Sequence, residues 1–166
     1  MAIREVLVFP DQRLKEISAR VDIADSQLQE ILQDLEDTLE YSPGTVGIAA
    51  PQIGISKRIV LIDAAKTKKP VFNHGRLFLI NPIITVTSGS AIAREGCLSL
   101  PDLTANVARA ETITIEFETP FGEMQSFDTN HFEARLIQHE VDHLDGILFL
   151  DRVSCLKTDV FRRKRY

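Results

Sequence analysis

Tryptophan is absent, and cysteine and methionine occur only twice each. Two cysteines cannot form a disulfide framework, and a chain of 166 residues is long enough to bury a core without one. Long hydrophobic runs are also missing. The richest apolar stretch, Leu77 to Ile84, is interrupted by Asn81-Pro82, whereas a spanning helix needs about 20 apolar residues in a row. The apolar run Val6 to Phe9 is four residues long and follows Arg4 and Glu5, which is not the pattern of a signal peptide. A surplus of positive charge is lacking too. The net charge is −5, and an acidic balance repels phosphate backbones, so sequence-specific nucleic-acid binding is not expected. No repeat, linker or low-complexity tract divides the chain. With 44% hydrophobic residues the expectation is one globular domain over residues 1–166, cytoplasmic, in a reducing compartment and away from membranes.

What is present is a mixture of helical and strand patterns. Val6 to Phe9 reads as a short buried strand closed by Pro10. Leu28, Ile31, Leu32, Leu35 and Leu39 recur at helical spacing. Ser26 and Gln29 have capping-box spacing before them, and Pro43-Gly44 ends the pattern. Arg58 to Asp63 and Leu77 to Thr87 read as strands, the second broken at Asn81-Pro82. Thr112 to Glu118 alternates Ile113, Ile115 and Phe117 with polar residues, and the turn at Phe121-Gly122 leads to a partner strand near Met124 to Phe127. A second helix carries Phe132, Leu136, Val141 and Leu144, with Asn130 and Glu133 as its cap and Gly146 as its stop. Leu156 to Tyr166 is expected to be helical and ends in the basic run Arg162-Arg163-Lys164-Arg165. The order of elements predicts an α+β fold, with antiparallel sheets packed around a central helix and a C-terminal helix.

The sharpest chemical signal is His139-Glu140-Val141-Asp142-His143. Two histidines four apart lie on one face of a helix, so both rings reach one metal ion. Glu140 follows the first and can accept a proton from a water at that ion. A catalytic metal needs a third protein ligand and an open position. No Glu follows Glu140 and no His follows His143, so the third ligand comes from upstream. Cys97, in Glu95-Gly96-Cys97-Leu98-Ser99, is the obvious donor. Alone it reads as a small buried hydrophobe. A third block, Gly47-Ile48-Ala49-Ala50-Pro51-Gln52, has small residues that allow close main-chain approach to a ligand. Its Gln52 amide can donate to developing negative charge.

Together, Gly47 to Gln52, Glu95 to Ser99, and Gln138 to Leu144 resemble the three motifs of the peptide deformylase family, in order and in spacing. Phe9 to Leu14 and Arg109 are similar to that family as well. The resemblance implies removal of the formyl group from the initiator methionine of nascent polypeptides, with release of formate. It implies that Cys97, His139 and His143 hold one divalent metal, Fe²⁺ in the cell, for which Zn²⁺, Ni²⁺ or Co²⁺ substitute. Glu140 is then the base, and Gln52 and the backbone N–H of Leu98 hold the oxyanion. Val46, Gly47, Glu95, Phe132 and Leu136 are the expected substrate contacts, with Glu95 orienting the peptide or serving structure. Partners implied are N-formyl-methionyl peptides and, through the basic tail, a transient contact with the ribosome.

Two departures bear on specificity. Thr45 stands where the family often has glycine, and Arg135 stands where some relatives carry an apolar residue. Arg135 is expected to bind the substrate backbone or to face solvent. Asp142 is expected either to bond a ligand histidine or to form a salt bridge elsewhere. Two other readings share the metal motif: an H-E-x-x-H peptidase, and a metal-binding relative without catalysis.

Overall fold

The strand Ile59–Asp63 explains the layering. Its four consecutive apolar residues are buried on both faces. Ile59 and Leu61 pack with one helix, α1 (Leu28–Tyr41), and Val60 and Ile62 pack with the other, α2 (His131–Leu144). A strand covered on both sides cannot alternate apolar with polar residues, which is why this one reads as an unbroken run. In this computed structural model the described residues are 2–164.

In chain order the strands are β1 (Gly47–Ala49), β2 (Ile59–Asp63), β3 (Arg76–Ser88), β4 (Ala91–Cys97), β5 (Leu100–Arg109), β6 (Thr112–Glu118), β7 (Met124–Asn130) and β8 (Val160–Arg162). They form two antiparallel sheets, one of five strands in the order β1-β2-β3-β6-β7 and one of three in the order β4-β5-β8. Ile113, Ile115 and Phe117 of β6 face α2, where they meet Ala134, Leu136, Ile137 and Val141. A separate cluster under the small sheet joins Leu14, Cys97, Leu100, Val107 and Phe149. The α2 helix starts immediately after β7, so the hairpin delivers the metal motif onto the core.

Gly146 ends α2 with φ +71°, and a Cβ there would lie 2.4 Å from the Lys15 carbonyl oxygen. Only glycine satisfies both the left-handed backbone and that approach.

Several expectations are corrected. Val6 to Phe9 forms no strand. Leu7 N–H donates to the Gln52 carbonyl and Phe9 N–H to the Ser99 carbonyl, so the segment bridges two loops, and Val8 and Phe9 are exposed. The break at Asn81-Pro82 does not end β3. It is a bulge in which Asn81, at φ +50°, pairs its amide with both main-chain groups of Val21. Neither predicted cap forms. The Asp25 carboxylate, not Ser26, receives the Gln27 N–H before α1. At α2 the Asn130 side chain makes no cap bond, and Glu133 is turned inward to His74 and Thr129. The C-terminal helix is a single turn, α3 (Leu156–Asp159). The chain then continues as β8 against β5, with the Arg94 guanidinium 3.8 Å above the Phe161 ring. Arg165 and Tyr166, part of the expected tail, lie outside the described residues.

Candidate active site

Cys97 is the last residue of β4, next to a register irregularity at Gly96/Cys97 before the tight turn into β5. His139 and His143 project from successive turns of α2 toward it. Ligand atoms of the three residues all lie within 4.8 Å of one another, and all three residues are buried. The Cys97 Sγ is 3.4 Å from His143 Nε2. Burial alone pushes the Cys97 thiol up. The charge and hydrogen bonds of His143 and His139 override it and hold the thiol well below its ordinary value. Burial lowers His139, but its bonds to Cys97 and Glu95 outweigh that and hold the imidazole well above its ordinary value. A thiolate between two imidazole nitrogens suits Zn²⁺ or Fe²⁺. These three residues therefore fit one divalent ion, and they form the one such group among the described residues.

Behind the ligands stands a buried ionic chain. His139 Nδ1–H donates to Glu95 Oε1 at 2.9 Å, which fixes the tautomer and leaves Nε2 for the ion. Arg109 clamps Glu95 in a bidentate pair at 2.7 and 2.9 Å and reaches Asp142 at 2.8 Å. Arg152 donates to both oxygens of Asp142, to Oδ1 at 2.8 Å and, alongside Arg109, to Oδ2 at 3.0 Å. Burial works against the charge on Glu95, yet His139 and Arg109 lower its carboxyl to about 2. Asp142 thus takes the salt-bridge alternative. Glu95 is also placed differently from a peptide contact: both its oxygens are taken by protein donors inside the fold.

Glu140 follows His139 but turns toward β1. Its Oε2 is buried with no hydrogen-bond partner in the protein. Burial raises its carboxyl above the ordinary value, against the opposing charges of His139 and His143. Gly47 makes room for it. A Cβ at Gly47 would sit 2.7 Å from Leu136 Cδ1 and 3.1 Å from both Cγ and Oε1 of Glu140.

Gln52 is oriented by its own loop. The Ala49 N–H donates to Gln52 Oε1 at 2.9 Å, so the amide NH₂ points at Cys97 Sγ (3.5 Å) and Ser99 Oγ (3.2 Å). The donor expected at the reacting carbonyl therefore faces the ligand cysteine. Leu98 is half-buried in the turn after Cys97. A groove of about 500 Å³ beside it is bordered by Ile3, Val6, Tyr41 and Pro43. Leu136 belongs to the apolar cluster under the large sheet, against which Val46 and Phe132 pack, and Gly47 abuts Leu136.

Sequence reasoning gave no role to Ser99 and His74, and its two expectations for Arg135 are corrected. Ser99 is fully buried and bonds Gln52. His74 stacks on Phe127 with ring centroids 3.9 Å apart and bonds Glu133, tying the loop before β3 to α2. Arg135 faces neither substrate backbone nor solvent: it bonds Glu95 and two strand carbonyls. Its i, i+4 spacing to His139 was the available signal.

A sequence model of the polypeptide deformylase family matches residues 3–159. The chain is 42% identical over 164 residues to a peptide deformylase from Pseudoalteromonas translucida, covering 99% of this chain and 95% of the other. It is 36% identical to one from Thermodesulfovibrio yellowstonii, covering 99% and 97%. Among solved structures, a peptide deformylase from Legionella pneumophila superposes with a TM-score of 0.84 at 39% identity, covering 94% of this chain and 89% of that one. One from Thermotoga maritima gives the same TM-score at 31% identity, covering 93% and 100%. By motifs, site geometry and near full-length similarity, the chain belongs to the peptide deformylase family, hydrolases that act on N-formyl peptides.

Proposed function

We propose that this chain removes the formyl group from N-formyl-methionyl peptides by metal-dependent hydrolysis, releasing formate. The observation that carries the reading is the unpartnered, buried Glu140 Oε2 beside the Cys97, His139 and His143 group. That oxygen is bonded by no protein donor, so it can take a proton from a group bound at the site. Cys97, His139 and His143 hold the ion, Fe²⁺ in the cell, with Zn²⁺, Ni²⁺ or Co²⁺ able to replace it. When bound, such an ion polarises a carbonyl as a Lewis acid and makes nearby water more acidic.

The remaining work falls to the protein. Glu140 accepts the proton of the attacking water and returns it to the departing amine. Its raised value suits both halves of that task, since an ordinary carboxyl is too weak a base to take the proton. The Gln52 NH₂ and the Leu98 N–H donate to the oxygen that becomes negative; loss of one such donor costs about 2.7–4 kcal/mol of barrier. Val46, Gly47, Phe132 and Leu136 take the methionine side chain, whose flexible thioether fills irregular apolar space. The groove beside Leu98 receives the residues that follow. Glu95 serves by holding His139, not by touching peptide.

Among the described residues no helix is long and apolar enough to cross a membrane. The ribosome contact falls on Arg162 and Lys164, which are exposed at the end of β8. Replacing Arg162 and Lys164 by Ala, which keeps the β8 main chain paired with β5, leaves short-peptide turnover intact under this reading and weakens co-sedimentation with ribosomes.

The reaction is tested by following amine and formate from formyl-Met-Ala-Ser, acetyl-Met-Ala-Ser and an unblocked peptide. Equal yields of amine and formate from the first alone support the reading. Cleavage of internal peptide bonds would replace it with a peptidase.

A further inference from the structure

Arg135 sits one helical turn before His139 on the same face of α2. Its side chain is 12% exposed, and its guanidinium makes three short bonds. Nη1 donates to Glu95 Oε2 at 2.6 Å and to the Val107 carbonyl at 2.9 Å, and Nη2 donates to the Ala91 carbonyl at 2.7 Å. One planar fork therefore ties α2 to both β4 and β5. Lysine offers a single nitrogen and cannot reproduce the fork.

Glu95 is the acceptor that matters. Oε1 receives His139 Nδ1–H and Arg109 Nη2, and Oε2 receives Arg109 Nε and Arg135 Nη1. Arg109 orients the carboxylate from β5, and its other contact runs to Asp142. Arg135 comes from the same helix as His139, four residues earlier. It fixes the spacing between the helix that carries the imidazole and the strand that carries its acceptor.

We infer that Arg135 is a positioning residue for the metal ligand His139, acting through Glu95. The inference rests on the metal-dependent reading above. Arg135 touches no substrate. It holds Glu95 and the α2 backbone in the one arrangement that presents His139 Nε2 toward Cys97.

The test compares wild type, Arg135→Ala, Arg135→Met and Arg135→Lys. Arg135→Met keeps the length of the stem and serves if Arg135→Ala does not fold. The readouts are the Zn²⁺ dissociation constant by competition with a chelator, the visible spectrum of the Co²⁺ form, and KM for formyl-Met-Ala-Ser with metal in excess. Loss of the group that bonds a metal ligand weakens metal binding by about 10- to 100-fold, and for Arg135, one bond further out, a loss at the lower end of that range is expected. That loss is expected in the Ala and Met variants, with an altered Co²⁺ spectrum, an unchanged KM and partial recovery in the Lys variant. A lower melting temperature with unchanged metal affinity and spectrum would make Arg135 merely structural and overturn the inference. A raised KM with unchanged metal affinity would make it a peptide contact and overturn it too. Failure of the wild type to bind metal would remove the metal-dependent reading and this inference together.

Discussion

Replacing Glu95 by Gln removes the anion on which His139, Arg109 and Arg135 converge, and its effect on folding follows from protonation. In the folded protein the carboxyl titrates at about 2, against 4.5 when unperturbed. The lowered value means that folding favours the charged form. Its contribution is therefore complete above the unfolded value, near pH 4.5, and is lost as pH falls toward 2. At about 1.4 kcal/mol per pH unit, the gap amounts to about 3 kcal/mol. A neutral amide cannot supply it. Metal-free wild type and Glu95→Gln should be unfolded with urea across a pH series, so that ligand protonation does not enter through the ion. Wild type should exceed the variant by about 3 kcal/mol or more at neutral pH, because the variant also leaves two buried guanidiniums short of an acceptor. The difference should hold down to about pH 5 and shrink below pH 4.5. A difference that stays constant through this range, or grows as pH falls, would refute the linkage.

Three further outcomes follow from other parts of the site. Gly47→Ala drives a methyl group into Leu136 and Glu140, so kcat/KM for a formyl-Met peptide should collapse, while overpacking costs stability about 1–3 kcal/mol; wild-type turnover would show that the contact is slack. Burial raises Glu140, and the base must be deprotonated, so kcat/KM should fall as pH drops through a value above the ordinary 4.5. An acid limb at or below 4.5, with metal retention confirmed, would contradict that environment. His74→Ala strips a donor from a fully buried Glu133 and should cost about 1–3 kcal/mol in denaturant unfolding, partly restored by adding Glu133→Gln. A loss that the second substitution deepens would place the effect elsewhere.

The legible parts of the fold were those where a pattern has one physical meaning. β6 alternates because one face meets α2, and α1 keeps its leucines on one stripe. The small sheet was hidden because β4 has its inner polar groups where apolar ones are expected. Glu95 is buried and Ile92 is exposed, so the strand carries no period of two in hydrophobicity. The β1 strand has three residues, too few for any period. In the tail, the expected helix includes Val160 and Phe161, but they complete the edge of β5, a partner distant in sequence. The three motifs brought the ligands, Glu140 and Gln52 to one place because chemistry constrains residue type and spacing together. How the supporting residues pair was illegible for the opposite reason. Arginine and glutamate usually face solvent, and the burial of Arg109, Arg135 and Glu95 depends on one another's presence.

The most direct test of the account is amine release from formyl-Met-Ala-Ser by anaerobically purified wild type and Glu140→Ala, matched in metal content. The account predicts turnover by the wild type and loss of it in the variant at equal occupancy. Full turnover by the metal-loaded variant would contradict Glu140 as the base, and no turnover by fully loaded wild type would contradict the reaction itself.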